Sequence, residues 1–226
     1  MFLARVKTAA AVLRRWGLRP LLTFVAYRAA DWIWDRRLGI RTGGSYSPDL
    51  FGIHNSDCHE YGPTLRGEFR KAMKKVPLSE CKDVFLDFGS GMGRMVIMAA
   101  TYPFRKVIGV ELVPELNEIA RQNLERARPR LRCADVELVT CDATKFAIPP
   151  DVSVIFFNNP FEGEVLRSIF RDIRQSVDSH PRRVTIIYIK TEVFEREGLD
   201  REGMILRHDF SCFRRNKIYE VLPHKA

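Results

Sequence analysis

The chain has 226 residues, 46% hydrophobic and 29% charged, with a net charge of +9. That length suits one domain with a well-buried core plus at most a small extension, and the composition is ordinary for a soluble globular protein. The five cysteines (Cys58, Cys81, Cys133, Cys141 and Cys212) are odd in number and scattered, with no Cys-x-x-Cys pair; this speaks for a reducing compartment and against a disulfide framework and a thiolate zinc site.

The charge is unevenly placed. Residues 1–41 carry nine basic residues (Arg5, Lys7, Arg14, Arg15, Arg19, Arg28, Arg36, Arg37, Arg41) against two acids, Asp31 and Asp35, so +7 of the +9 lies there. All three tryptophans, Trp16, Trp32 and Trp34, lie there too. We read residues 1–45 as a basic helical extension and 46–226 as the main domain. Basic residues mixed with tryptophan suit three arrangements: helices packed on the main domain, an interfacial helix on an anionic membrane, or a patch for nucleic acid or an acidic partner. Nucleic acid is the least favoured of the three. The most apolar run, Leu21–Trp34, is interrupted by Arg28 and Asp31 and falls short of the roughly 20 residues a bilayer span requires. Arg5, Lys7, Arg14 and Arg15 break up any secretory-signal core, whereas arginines without acids over the first 30 residues suit an organelle transit peptide in a eukaryotic source. The expected location is cytoplasmic, with surface association to a membrane as an option.

Residues 42–63 are rich in turn formers and read as a long loop. Leu65, Phe69, Ala72, Met73 and Val76 then recur at helical spacing. Alternation follows: a strand over Val84–Phe88, a helix over Arg94–Thr101, a strand over Val107–Glu111 and a helix over Pro114–Arg128. Pro114 suits a first helical position and Glu115 the positive end of the helix dipole. Val136–Cys141 and Val152–Phe157 are the third and fourth strands. A helix with Leu166, Ile169, Phe170, Ile173 and Val177 inward leads to a fifth strand, Val184–Lys190. Strands four and five are near-continuous apolar runs, as in a parallel sheet covered on both faces. Met204–Phe213 and Lys217–Leu222 read as two final strands joined by a turn at Arg214-Arg215-Asn216. The fold class is α/β, doubly wound.

Gly89, Gly91 and Gly93 form Gly-x-Gly-x-Gly after the first strand. A dinucleotide site needs a small residue at position 94, which is Arg94, and no Gly-Lys-Ser/Thr makes a P-loop. Asp87 would repel a pyrophosphate but suits the ammonium of a methionine moiety, whose carboxylate the helix N-terminus can meet. Glu111, ending the second strand, is placed for ribose hydroxyls, and Asp142, after the third, for an adenine amine.

Asp87-Phe-Gly-Ser-Gly-Met-Gly93, Glu111 and Asp142 resemble the cofactor motifs of the class I S-adenosylmethionine-dependent methyltransferases. The resemblance spans roughly residues 60–222 and implies a seven-stranded Rossmann-like sheet and S-adenosylmethionine as methyl donor. Phe156-Phe-Asn-Asn-Pro-Phe161 looks like the (Asp/Asn/Ser)-Pro-Pro-(Tyr/Phe) motif of enzymes that methylate nitrogen, with Asn159 departing from it. Glu60-Tyr-Gly-Pro-Thr64 together with the glycine segment and Asn158-Asn-Pro-Phe-Glu-Gly163 is similar to the non-SET histone lysine methyltransferases of the disruptor-of-telomeric-silencing type, with Pro63 departing from their acidic residue. That resemblance implies that Tyr61 and Thr64 cover the cofactor and that Asn158 or Asn159, with Phe161, forms the acceptor side.

The expected function is therefore methyl transfer to a nitrogen, with a protein lysine preferred. A small-molecule methyltransferase whose acceptor pocket is closed by residues 42–63, and a cofactor-binding interaction module without catalysis, are the rivals. His54, Asp57, Cys58, His59 and Glu60 cluster in the loop, but without a second cluster at a known spacing they read as polar loop rather than metal site. Lys190 reads as a solvated strand end.

Overall fold

The computed structural model of the chain describes residues 14, 17–52, 54–59, 62–199, 203–211 and 215–224. Its sheet runs through β1 (Val84–Phe88), β2 (Lys106–Glu111), β3 (Val136–Thr140), β4 (Val152–Phe157), β5 (Val184–Ile189), β6 (Met204–Ser211) and β7 (Arg215–Val221) in the spatial order β3-β2-β1-β4-β5-β7-β6. The pairs among β1 to β5 are parallel; β7 pairs antiparallel with both β5 and β6. The strand order reverses between β1 and β4, and in open α/β sheets the crevice at that reversal holds the ligand.

Helices α1 (Leu18–Leu38), α2 (Arg66–Met73), α3 (Arg94–Ala99), α4 (Pro114–Ala127), α5 (Gly163–Ser179) and α6 (Glu192–Arg196) cover the sheet. Strand alternation divides the core into two layers. Leu86, Phe88, Ile155 and Phe157 pack with Leu166, Ile169 and Phe170 of α5 on one face; Phe85 and Phe156 pack with Phe69, Met95 and Val96 of α2 and α3 on the other. Phe157 stacks on Phe88, Phe170 and Tyr188, each at 5.4 Å between ring centroids. Each such buried ring contributes roughly 1.5–3 kcal/mol, so the end of β4 is among the firmest parts of the fold.

The tail differs from its sequence reading. β7 begins at Arg215, so Arg215 and Asn216 are strand residues rather than a turn; Asn216 is fully buried and its Oδ1 accepts the Lys190 N–H at 3.2 Å. β5 stops at Ile189 because Lys190 adopts a left-handed φ of 64°, and the short α6 that follows has no clear periodic signal. Cys212, Phe213 and Arg214 lie outside the described residues.

α1 ends in a left-handed Gly39, whose N–H and that of Ile40 return to the carbonyls of Arg36 and Asp35. It lies against α2 so closely that a Cβ on Gly67 would stand 2.2 Å from the Tyr27 ring. Its outer face leaves Leu18, Leu22, Val25, Trp32 and Ile33 exposed. No helix among the described residues is long and apolar enough to cross a membrane.

Candidate active site

A cavity of about 290 Å³ opens at the carboxyl ends of β1, β2 and β4, near the lower end of the range for ligand sites. Asp87 forms part of its wall at only 3% exposure, and its carboxylate has no hydrogen bond or ion pair among the described residues. Burial, with Glu111 nearby, pushes its pKa well above the ordinary carboxylate range. A bound cation would relieve both effects.

Glu111 is better supplied: Oε2 accepts the Gly91 N–H at 2.7 Å and Oε1 the Val113 N–H at 2.9 Å. Burial raises its pKa and these backbone bonds oppose the rise. Each oxygen retains a lone pair for a ribose hydroxyl. Asp142 also lines the cavity; its Oδ1 takes the N–H and hydroxyl of Thr144 at 3.0 and 2.8 Å, capping the turn Ala143–Lys145, while Oδ2 has the Lys145 ammonium 3.9 Å away. Thr64 Oγ1 and Ser90 Oγ are buried, unpartnered and on residues that line the cavity. Such orphaned hydroxyls beside a bare carboxylate fit the ammonium and carboxylate of a methionine moiety.

The three glycines divide their duties. Gly89 lines the cavity at φ 75°, and a Cβ there would meet Pro160 Cβ at 2.8 Å, so the first turn residue and the end of β4 fit only without a side chain. Gly91 gives its N–H to Glu111, and Gly93 packs on Ala120; neither lines the cavity. Tyr61 lies outside the described residues, as does Glu60.

On the opposite wall, Asn158 donates Nδ2–H to the Gly62 carbonyl at 2.7 Å, while its Oδ1 is buried without a partner. Phe161 lines the cavity beside it. Asn159 differs from the expectation: at φ 49° its side chain turns to His59, 3.0 Å away, and Asn159 is not among the cavity residues. Of the two asparagines, Asn158 is the one that lines the cavity.

The loop ahead of α2 is stitched along this wall. His59 N–H bonds the Pro160 carbonyl at 2.9 Å, Cys58 bridges to Phe161, and Glu162 N–H bonds the Asp57 carbonyl at 2.9 Å. Asp57 Oδ2 accepts the N–H groups of Glu164 and Val165, capping α5 from outside its own chain segment. The His/Asp/Cys cluster of the sequence is thus a clasp. Burial and the nearby carboxylates of Asp142, Asp57 and Glu111 raise the Cys58 pKa, which keeps its thiol protonated.

Arg94 also reaches the cavity, at 3% exposure. Its Nη1 pairs with Asp31 Oδ2 at 2.7 Å, Nη2 with Asp35 Oδ2 at 3.2 Å, and Nε donates to Thr42 Oγ1 at 2.7 Å. In sequence Arg94 served only to exclude a dinucleotide site. The legible signal was elsewhere: Asp31 and Asp35, the sole acids of residues 1–41, are four apart and so share one helix face. Asn123, fully buried, likewise fixes Arg41 through its Oδ1 and Nδ2.

Residues 85–179 match the family model described as a methyltransferase domain. That stretch holds β1, the glycine turn, Glu111, Asp142 and the Asn158 wall. The methyltransferase takes S-adenosylmethionine as its cofactor, and the bare Asp87 carboxylate and orphaned hydroxyls fit that group. No curated protein sequence matches the chain. Among solved structures, a precorrin 8w decarboxylase of Methanobacterium thermoautotrophicum shares 22% identity, with 76% of this chain and 97% of that chain covered at a TM-score of 0.53. A precorrin-6y C5,15-methyltransferase of Geobacter metallireducens shares 18%, covering 72% and 90% at 0.52. An RNA methyltransferase of Salinibacter ruber shares 20%, covering 73% and 95% at 0.50. At these identities the likeness establishes the Rossmann-like methyltransferase fold.

Proposed function

We propose that the methyltransferase acts on an amine nitrogen, that of a protein lysine side chain. The carrying observation is the Asn158 Oδ1, buried and unpartnered at the cavity wall beside Phe161. It is placed to accept an N–H of the amine, holding the nitrogen so that its lone pair meets the methyl group, while the Phe161 ring packs against the acceptor. The cofactor supplies an electrophilic methyl on a sulfonium. Asp87 holds its cationic methionine end and Glu111 its ribose, and the stitched loop excludes water, so alignment and desolvation supply most of the rate. Lining charge agrees: among the described lining residues Asp87, Glu111 and Asp142 face the guanidinium of Arg94, which Asp31 and Asp35 already pair. Such an acidic lining disfavours a phosphate-bearing acceptor.

Incubation with tritiated S-adenosylmethionine and a native lysate tests the reading. Label entering lysine of protein is the expected result; label confined to nucleic acid overturns it. A second reading, a small-molecule acceptor, is favoured by Tyr46, Phe51 and Asn55 of the same loop lining the cavity, and predicts label in the low-molecular-weight fraction alone.

A further inference from the structure

Helix α1 is apolar on two faces. Inward, Trp34 and Leu38 pack on the core and Tyr27 lies against Gly67. Outward, Leu18, Leu22, Val25 and Trp32 follow one another at intervals of four, three and seven residues, so they form a single stripe, with Ile33 beside its end. Leu18, Leu22 and Trp32 are 61%, 60% and 60% exposed. A lone surface leucine needs no explanation, but a continuous stripe marks a face that something covers.

Charge decides what covers it. Arg19, Arg36 and Arg37 of α1 are exposed. α2 adds to the same side: its Lys71 ammonium lies 5.7 Å from the centre of the Tyr27 ring, and Arg70, Lys71, Lys74 and Lys75 are exposed in and just after that helix. The acids of the two helices are turned inward, because Asp31 and Asp35 pair with Arg94 and Glu68 is buried. The Arg36 guanidinium lies over the Trp32 ring, 5.1 Å from its centroid, which sets a cation at the margin of the stripe. Such a stripe, edged by cations and carrying a tryptophan, matches an anionic lipid surface: the aliphatic side chains enter the acyl boundary and the guanidinium groups meet phosphates. A second copy would instead bring two basic rows together with no outward acid on either helix to separate them. Nucleic acid, with its phosphates outward, leaves Leu18, Leu22 and Val25 without apolar cover. We propose that the outer face of α1 docks the methyltransferase on an anionic membrane, the helix lying in the interface rather than crossing it. This docking is independent of which group accepts the methyl.

Flotation of the full-length protein with lipid vesicles tests this. Binding is expected to phosphatidylcholine vesicles that hold about a third phosphatidylserine, and should fall by on the order of tenfold in pure phosphatidylcholine or at high salt. Leu22→Ser combined with Trp32→Ser should lower binding to the anionic vesicles by on the order of a hundredfold. Arg36→Gln combined with Arg37→Gln should lower it by on the order of tenfold. Leu22 and Trp32 are exposed and do not line the cavity, so S-adenosylhomocysteine affinity by calorimetry should stay within about twofold, a check that the variant folds. Failure of the unsubstituted protein to float with anionic vesicles overturns the proposal, and so does undiminished binding by the folded Leu22 and Trp32 double variant. Equal binding to neutral vesicles refutes the choice of an anionic surface. A dimer that the double variant abolishes, or RNA retained in preference to vesicles, gives the face to another partner and refutes membrane docking as well.

Discussion

The two walls of the cavity are built on opposite plans. The wall at β1 and β2 is acidic and belongs to the frame of the sheet: Asp87 and Glu111 end buried strands, and the glycine turn lies directly against them. The wall at β4 carries no acid among its lining residues, and half of it is borrowed, because residues 57–59 and Gly62 are stitched along residues 158–162 from a loop about a hundred positions earlier. The acidic wall carries an electrostatic debt in the free protein, which a cationic ligand relieves. The β4 wall carries an unfilled hydrogen bond. Donor binding and acceptor orientation should therefore fail separately.

The largest expected effect is on the β4 wall. Asn158→Ala should lower the rate of methyl transfer by about a hundredfold with S-adenosylhomocysteine affinity unchanged, measured by initial-rate and calorimetric assays; a parallel loss of affinity would mean the walls are not separable. Asp87→Ala should do the reverse, weakening cofactor binding by about ten- to hundredfold through loss of a charge-assisted contact of about 1.5–3 kcal/mol. Gly89→Ala should damage both together, since it strains φ and drives a Cβ into Pro160; about 1–3 kcal/mol of stability should be lost in denaturant unfolding.

The smallest effect is the most diagnostic. Burial holds the Asp87 pKa above that of an unfolded carboxylate, near 4. Such a group stabilises the fold below the unfolded value, and that contribution is lost as pH rises through the folded value. Asp87→Asn should therefore raise the melting temperature of the ligand-free protein at neutral pH even as it weakens cofactor binding. In the unsubstituted protein, cofactor affinity should fall as pH drops through the raised Asp87 value, because a protonated carboxyl cannot meet a cation; Asp87→Asn should flatten that dependence.

The contrast also explains what could be read from the sequence. β1 to β5, the glycine turn, Asp87, Glu111 and Asp142 are local: each follows from a short apolar run and the residue at its end. The clasp is not local. Asp57 capping α5, His59 against Asn159, and Asn158 against Gly62 join segments whose pairing no periodicity announces. Asn158 and Asn159 could not be told apart in sequence, because the choice depends on a single left-handed φ. The start of β7 was misplaced for a related reason: Arg215 and Asn216 look like turn residues, yet Asn216 is buried beneath Lys190.

The Arg94 guanidinium has a consequence for where this protein begins as an energetic unit. Its counter-charges, Asp31 and Asp35, and its hydrogen-bond acceptor Thr42 all come from α1 and its immediate continuation. A chain cut after residue 42 would leave a cation stranded in the interior next to the cofactor cavity, a defect typically worth about 3–5 kcal/mol. The first helix and the glycine turn, some fifty residues apart, should therefore melt in one cooperative transition.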